Sequence, residues 1–281
     1  MTVKRMLFSL AHPDDESFGW GGLIRKYVDQ GIEVDYICAT DGARGTIAQE
    51  HLDTYGSPRA VRYAELDCAS KVLGFSEVYK FDYLDSGMMG SPENDDPDCL
   101  WQADETEVVA KIVTVMRERQ PQVVVTFDPF GGYGHPDHIF MHKATTRAFY
   151  AAGDPAQFSE QGAPYTPQKL YYTGFSRGLL RLWIVQARMR GQNPRQMGVN
   201  KDIDLMEIRD NILPATTKID ISDYLDTWNE ASRCHASQLN PRMLMSGLMQ
   251  KMIMSKQLMT CVVPERSTKL RQETDLFAGV V

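Results

Sequence analysis

Short apolar runs alternating with helix-patterned segments constrain this chain more than anything else in it. Met6–Leu10 is strand-like, Ser17–Gln30 fits a helix closed by Gly31, and Ile32–Thr40 (IEVDYICAT) reads as a second strand. After a polar loop, Ser57-Pro58 offers an N-cap with proline at the first helical position, so a helix starts there. Its apolar positions Val61, Ala64, Cys68 and Val72 recur at helical spacing, and Gly74 ends it. Glu77–Tyr83 is a third strand and 86–103 a loop rich in Gly, Asp and Pro. Asp104–Arg119 is an amphipathic helix with Val108, Val109, Ile112, Val113 and Met116 on one face. VVVTF at 123–127 is a continuous apolar run, the mark of a strand covered on both faces. The alternation predicts an α/β fold, a Rossmann-like three-layer sandwich around a mainly parallel sheet.

The second half is less regular. Leu170–Phe175 and Thr217–Ile221 read as strands and Tyr224–Leu239 as a helix. Residues 176–197 are rich in arginine (Arg177, Arg181, Arg188, Arg190, Arg195), which reads as a solvated face or an attractor for an anionic substrate. Residues 243–259 are rich in methionine; Met245, Met249 and Met252 fall at helical spacing, as core, oligomer contact or apolar lid. No repeat or linker interrupts the 281 residues, so one domain over 1–281 is expected. With 37 acids against 30 bases the net charge is −7, which gives no reason to expect nucleic acid or an anionic membrane as partner. No apolar run is long enough to span a bilayer. The five cysteines are scattered and form no CxxC pair, which suggests reduced thiols and a cytoplasmic setting. Exposed apolar segments in the second half permit a homo-oligomer.

In parallel sheets ligands gather outside the carboxyl ends of the strands. Two charged clusters lie there: His12, Asp14, Asp15 and Glu16 after the first strand, and GGYGHPDH at 131–138 after VVVTF. Charges at the mouth of a buried strand are costly unless something pairs with them, and a cation is the natural partner. A catalytic zinc takes three protein ligands of the His, Asp, Glu or Cys type and keeps a fourth position open. Pro13 stiffens the first loop, and Pro136 sits where a helix should begin, so that His138 projects from its first turn. The bland alternatives are a surface or capping histidine at position 12, and Asp14 and Asp15 as mere helix caps. HPDD stands where a dinucleotide-binding protein would carry GxGxxG, which speaks against nucleotides.

AHPDDE followed far downstream by GGYGHPDH resembles the LmbE/PIG-L family of zinc-dependent N-acetylglucosaminyl deacetylases. DSGMMGSP at 85–92 resembles its mycothiol-pathway deacetylase and conjugate amidase branch. The likeness runs over about residues 5–150. It implies an LmbE-like domain with a metal-site core in 1–150, while 151–281 completes the sheet and the substrate cleft. It makes His12, Asp15 and His138 the ligands of one Zn2+ per chain, with ferrous iron on the same ligands as the alternative. Asp14 becomes the general base, which must stay ionised beside the cation. His135 takes the acid and electrostatic role with Asp137 orienting its ring, and Tyr133 donates to the carbonyl oxygen. Arg62 and Asp85 contact sugar hydroxyls or neighbouring polar groups, and Ser17 and Met88 are contacts of the same kind.

Several of these residues have a second reading. Tyr133 can be a packing residue, and Arg62 can pair with Glu65 on the surface. His142, one helical turn after His138, and Glu16 fit a supporting place beside the ligands better than a ligand's place. His235, in CHASQ, either borders the cleft or answers a helix dipole. The resemblance implies a metal-dependent hydrolase removing the N-acetyl group from an N-acetylglucosamine-containing small molecule, in low-molecular-weight thiol metabolism. An amidase of thiol S-conjugates and a non-catalytic sugar-binding protein are the alternatives. Against the latter, every catalytic position of the family pattern is present. A two-metal phosphoesterase would need Asp41, Asp128 and His142 to converge on the cleft as well.

Overall fold

Strands from both halves of the chain form one seven-stranded sheet in the computed structural model, which describes residues 3–198, 200–239, 247–267 and 272–281. In chain order the elements begin β1 (Arg5–Leu10), α1 (Asp15–Asp29), β2 (Glu33–Thr40), α2 (Gln49–Tyr55), α3 (Pro58–Leu73) and β3 (Glu77–Tyr83). Next come α4 (Glu105–Arg119), β4 (Val123–Thr126), the single turn α5 (Gly131–Gly134), α6 (Pro136–Ala151) and β5 (Lys169–Gly174). The chain closes with α7 (Arg177–Met189), α8 (Leu205–Asn211), β6 (Thr217–Asp220), α9 (Leu225–Cys234), α10 (Gly247–Met254) and β7 (Lys256–Val263). The sheet order is β3-β2-β1-β4-β5-β7-β6. The first five strands pair in parallel, and β7 runs antiparallel to both β5 and β6.

Helices cover the sheet, α4 packing on α6 and α9 on both α1 and α3. Covered on both faces, β1 and β4 bury every residue from Met6 to Leu10 and from Val123 to Thr126, which is why neither shows alternation. Local signals end the helices where expected: the Ser57 hydroxyl accepts the Ala60 N–H, Asp104 accepts the Thr106 N–H, and Gly74 closes α3 in the left-handed conformation. From β1 the chain crosses to β2 on one side; from β4 it crosses to β5 on the other. The crevice between their carboxyl ends is the switch point where such sheets bind ligands.

The second half departs from the sequence reading. The arginine-rich stretch carries α7, whose buried Leu180, Ile184 and Ala187 make an i, i+4, i+7 stripe beneath the basic residues. The methionine-rich stretch divides between α10 and β7, where Met259 and Cys261 are buried at strand period. Met243 and Met245 lie outside the described residues. The helix read over Tyr224–Leu239 stops at Cys234, and α2 stands in what read as polar loop.

The expectation of five reduced thiols needs correction, because Cys68 and Cys234 form a disulfide. The fold lays α9 against α3 and brings the two Cα atoms to 5.6 Å although 166 residues separate them, a proximity that spacing cannot reveal. Cys38, Cys99 and Cys261 are free and buried. No helix among the described residues is long and apolar enough to cross a membrane.

Candidate active site

The turn after β1 builds the first half of the site. The N–H groups of Ala11 and His12 donate to Asp15 Oδ2 at 3.2 and 2.7 Å, so this carboxylate is held by its own loop rather than spent on a helix cap. Asp14 occupies the N-cap position of α1 at φ 128°, and its side chain makes no capping bond. Its carboxylate meets the Arg62 guanidinium instead, Nη2 lying 2.7 Å from Oδ2, and the same nitrogen donates to the Pro13 carbonyl. Arg62 is fully buried at the base of α3, with Glu65 Oε2 3.5 Å from Nη1, so neither partner makes it a surface pair. Burial pushes the Asp14 pKa up and Arg62 opposes that shift.

The second half comes from the segment after β4. His138, in the first turn of α6, has Nδ1 3.1 Å from the Gly131 carbonyl, so this nitrogen carries a proton. Gly131 is required there: at φ 66° a Cβ would stand 2.8 Å from the His138 Cβ and 2.9 Å from the Ile139 nitrogen. His12 Nε2 lies 3.1 Å from Asp137 Oδ2 and donates to it. Asp137 also accepts the backbone N–H and the hydroxyl of Ser86.

These hydrogen bonds determine what faces the crevice. With His12 protonated on Nε2 and His138 on Nδ1, their other nitrogens point lone pairs at each other across 3.0 Å. Asp15 adds Oδ1 at 3.3 Å from His138 Nε2 and Oδ2 at 3.6 Å from His12 Nδ1. Three electron-pair donors so placed repel one another unless a proton or a cation lies between them. Around a tetrahedral zinc with bonds of about 2.0–2.1 Å, ligand atoms stand roughly 3.3 Å apart, and the observed spacings bracket that value. The residues present therefore fit a zinc ion. Ligand atoms of His12, His135 and His138 also lie within 4.8 Å of one another, as do those of His12, Asp85, His135 and Asp137.

His135 caps α6, its Nδ1 accepting the Asp137 N–H at 3.2 Å, so the ring proton sits on Nε2. Burial lowers the His135 pKa well below the ordinary imidazole value. The Asp137 carboxylate, expected to orient His135, lies 3.9 Å from that ring and bonds His12 instead. Tyr133 packs edge-on to His138 with ring centroids 5.0 Å apart. Burial and the nearby Asp15 push its phenol pKa up, so the hydroxyl keeps its proton and is a donor.

The remaining residues separate. Asp85 reaches the cluster, Oδ1 lying 3.7 Å from His12 Nε2, and accepts the Gly87 N–H. Met88 lies half-buried in the same loop, its carbonyl accepting from Asn94. Ser17 is fully buried and spends its hydroxyl on Glu16 at 2.6 Å. Asp41 holds the backbone of Ala43 and Asp85, Asp128 that of Phe130, and His142 bonds the Phe127 carbonyl. Asp41, Asp128 and His142 belong to neither group of metal-ligand atoms found among the described residues. Two features escaped the sequence reading: Ser86, for which no local signal exists, and a contact between Glu16 and His235, both fully buried.

Comparison with known proteins shows what the chain as a whole is similar to. Residues 7–149 match the family described as PIG-L, GlcNAc-PI de-N-acetylase. A 1D-myo-inositol 2-acetamido-2-deoxy-α-D-glucopyranoside deacetylase of Geodermatophilus obscurus is 35% identical over 294 residues, 99% of this chain and 98% of its own length. A protein of the same name from Thermobispora bispora is 38% identical over 249 residues, 85% of this chain and 80% of its own. Among solved structures, the N,N'-diacetylchitobiose deacetylase of Pyrococcus horikoshii superposes with a TM-score of 0.58 at 21% identity, covering 85% of this chain and 72% of its own. At that identity it speaks to the fold alone.

Proposed function

Because the chain belongs to the PIG-L, GlcNAc-PI de-N-acetylase family, we propose that it is a zinc-dependent hydrolase acting on the acetamide of a glucosaminyl inositol. Its substrate on this reading is the 1D-myo-inositol 2-acetamido-2-deoxy-α-D-glucopyranoside for which its relatives are named, in low-molecular-weight thiol metabolism. One observation carries the chemistry: the convergence of His12 Nδ1, His138 Nε2 and the Asp15 carboxylate at 3.0–3.6 Å from one another. Zinc held by these three groups would supply Lewis acidity toward the acetamide oxygen and would lower the pKa of water to about 7.

The chain's own residues do the rest. Asp14, whose carboxylate is turned to Arg62 rather than to the start of the helix, takes the proton from the attacking water. Burial moves its pKa toward neutrality, and Arg62 keeps it ionised and aimed. Tyr133 donates to the oxygen on which charge develops. His135 presents its Nε2 proton to the reacting amide, its ring held by the Asp137 N–H. Asp137 fixes the tautomer of His12, as a carboxylate behind a ligating histidine does. Asp85 accepts from a sugar hydroxyl. The Nε and Nη1 atoms of Arg62 are buried and make no hydrogen bond among the described residues, Nη1 facing Glu65 Oε2 at 3.5 Å, so Arg62 serves Asp14 rather than the substrate.

The test is paired. Metal content is measured by elemental analysis, and acetate release from the inositol glycoside is followed with and without a chelator. About one zinc per chain with chelator-sensitive release is expected for a site of this donor set. Protein that takes up no metal when zinc is offered refutes the reading. Metal-loaded protein that cleaves only thiol S-conjugates transfers it to an amidase.

A further inference from the structure

We propose that Glu16 and His235 form a positioning pair that holds Asp14 in the backbone conformation its role requires, an inference that rests on the function proposed above. Asp14 sits at φ 128°, ψ −23°, a region that residues with a side chain avoid. Such a conformation persists only where its surroundings impose it. The carbonyl of Asp14 accepts the Ser17 and Phe18 N–H groups at the start of α1, which anchors one side of the residue. The other side is anchored by a side chain: the Asp14 N–H donates to Glu16 Oε2 at 2.9 Å.

Glu16 is fully buried, an expensive place for a carboxylate, and every polar contact recorded for it serves this turn. Oε1 accepts the Ser17 hydroxyl and meets His235 Nε2, each at 2.6 Å. His235 is fully buried too, and its Nδ1 has no hydrogen-bond partner among the described residues. The imidazole thus makes its one hydrogen bond to Glu16, and no helix-dipole role is needed to explain it.

His235 is itself held in place through α3. Cys234, just before it, is bonded to Cys68 of that helix, and Ser237, just after it, donates through N–H and hydroxyl to Glu65 at 2.6 and 2.8 Å. The same helix carries Arg62, which grips the Asp14 carboxylate. One rigid unit therefore reaches Asp14 by two arms, Arg62 at the side chain and His235 through Glu16 at the backbone. Neither Glu16 nor His235 makes a recorded hydrogen bond or ion pair with His12, Asp15 or His138. Loss of the brace should misplace the base and leave the metal.

The test is a double-mutant cycle on the metal-loaded protein, reading kcat, KM and zinc content. His235→Leu fills the space without a donor and should lower kcat about 10- to 100-fold, the scale of a small misplacement of a reacting group. KM and zinc content should stay at the parent's values, and His235→Gln, which restores a donor, should recover most of kcat. In an Asp14→Asn background, His235→Leu should cost nothing further, because its effect passes through Asp14. Glu16→Gln keeps the volume and an acceptor for the Asp14 N–H but gives up an acceptor for His235, so it should lower kcat with zinc content unchanged, and its loss should not add to that of His235→Leu.

Equal losses from His235→Leu in both backgrounds, parental kcat in His235→Leu, or fully additive losses from His235→Leu and Glu16→Gln overturns the inference. Parental kcat in Asp14→Asn itself overturns the base assignment, and this inference with it. A deep loss there beside an unaffected His235→Leu overturns this inference alone.

Discussion

Asp137→Asn separates two accounts of the same carboxylate. Asp137 is fully buried, and its Oδ2 accepts both from His12 Nε2 at 3.1 Å and from the Ser86 N–H at 3.0 Å. Its Oδ1 accepts the Ser86 hydroxyl, which also accepts the Trp101 N–H. Asparagine can reproduce most of this. The amide oxygen takes the place of Oδ2, and the amide nitrogen donates to the Ser86 hydroxyl, whose two lone pairs then serve it and Trp101. What disappears is the negative charge behind His12, and charge-assisted hydrogen bonds are roughly twice as strong as neutral ones. Removing such a partner of a ligating histidine costs about 10- to 100-fold in metal affinity, or about 1.4–2.8 kcal/mol. Competition for zinc against a fluorescent chelator measures it, with a thermal melt of the metal-free protein as the folding control. Zinc affinity within twofold of the parent together with lost turnover would refute the reasoning and return Asp137 to His135.

Tyr133→Phe should keep zinc and KM while lowering kcat by up to about 10²–10³, the worth of one oxyanion donor; turnover within twofold of the parent would make Tyr133 a packing residue. Lys169→Met should destabilise the protein by about 1–3 kcal/mol in urea titration, because it removes the buried donor to Glu273 and to the Leu276 and Ala278 carbonyls, while Glu273 keeps Arg266 and the Tyr171 hydroxyl; a loss under about 0.5 kcal/mol would count against that pair. Cys68→Ser should cost about 2–4 kcal/mol, and a reductant should lower the parent's melting temperature but not the variant's; equal melting under both conditions would exclude the crosslink.

Much of this protein is legible in short windows of sequence. The strands β1, β2, β3 and β4 announce themselves because apolar runs and helix signals such as Ser57-Pro58 and Gly74 act within a few residues. The two histidine–aspartate clusters are likewise local, and a parallel sheet of this connectivity carries both to one edge, so the place of the site could be read before the fold. The partners of its side chains could not. Asp137 stands two residues from His135 and bonds His12, which is 125 positions away. Arg62 reaches Asp14 across 48 positions, and Cys68 meets Cys234 across 166. His235 meets Glu16 across 219. Strand β7 lies between β5 and β6 although it follows both in the chain, and its half-polar segment shows no run to betray it. Periodicity and capping are properties of neighbouring residues and are written in their order. Which buried charge satisfies which other depends on the order of strands in the sheet and the helices laid upon it, and only the assembled tertiary structure decides that.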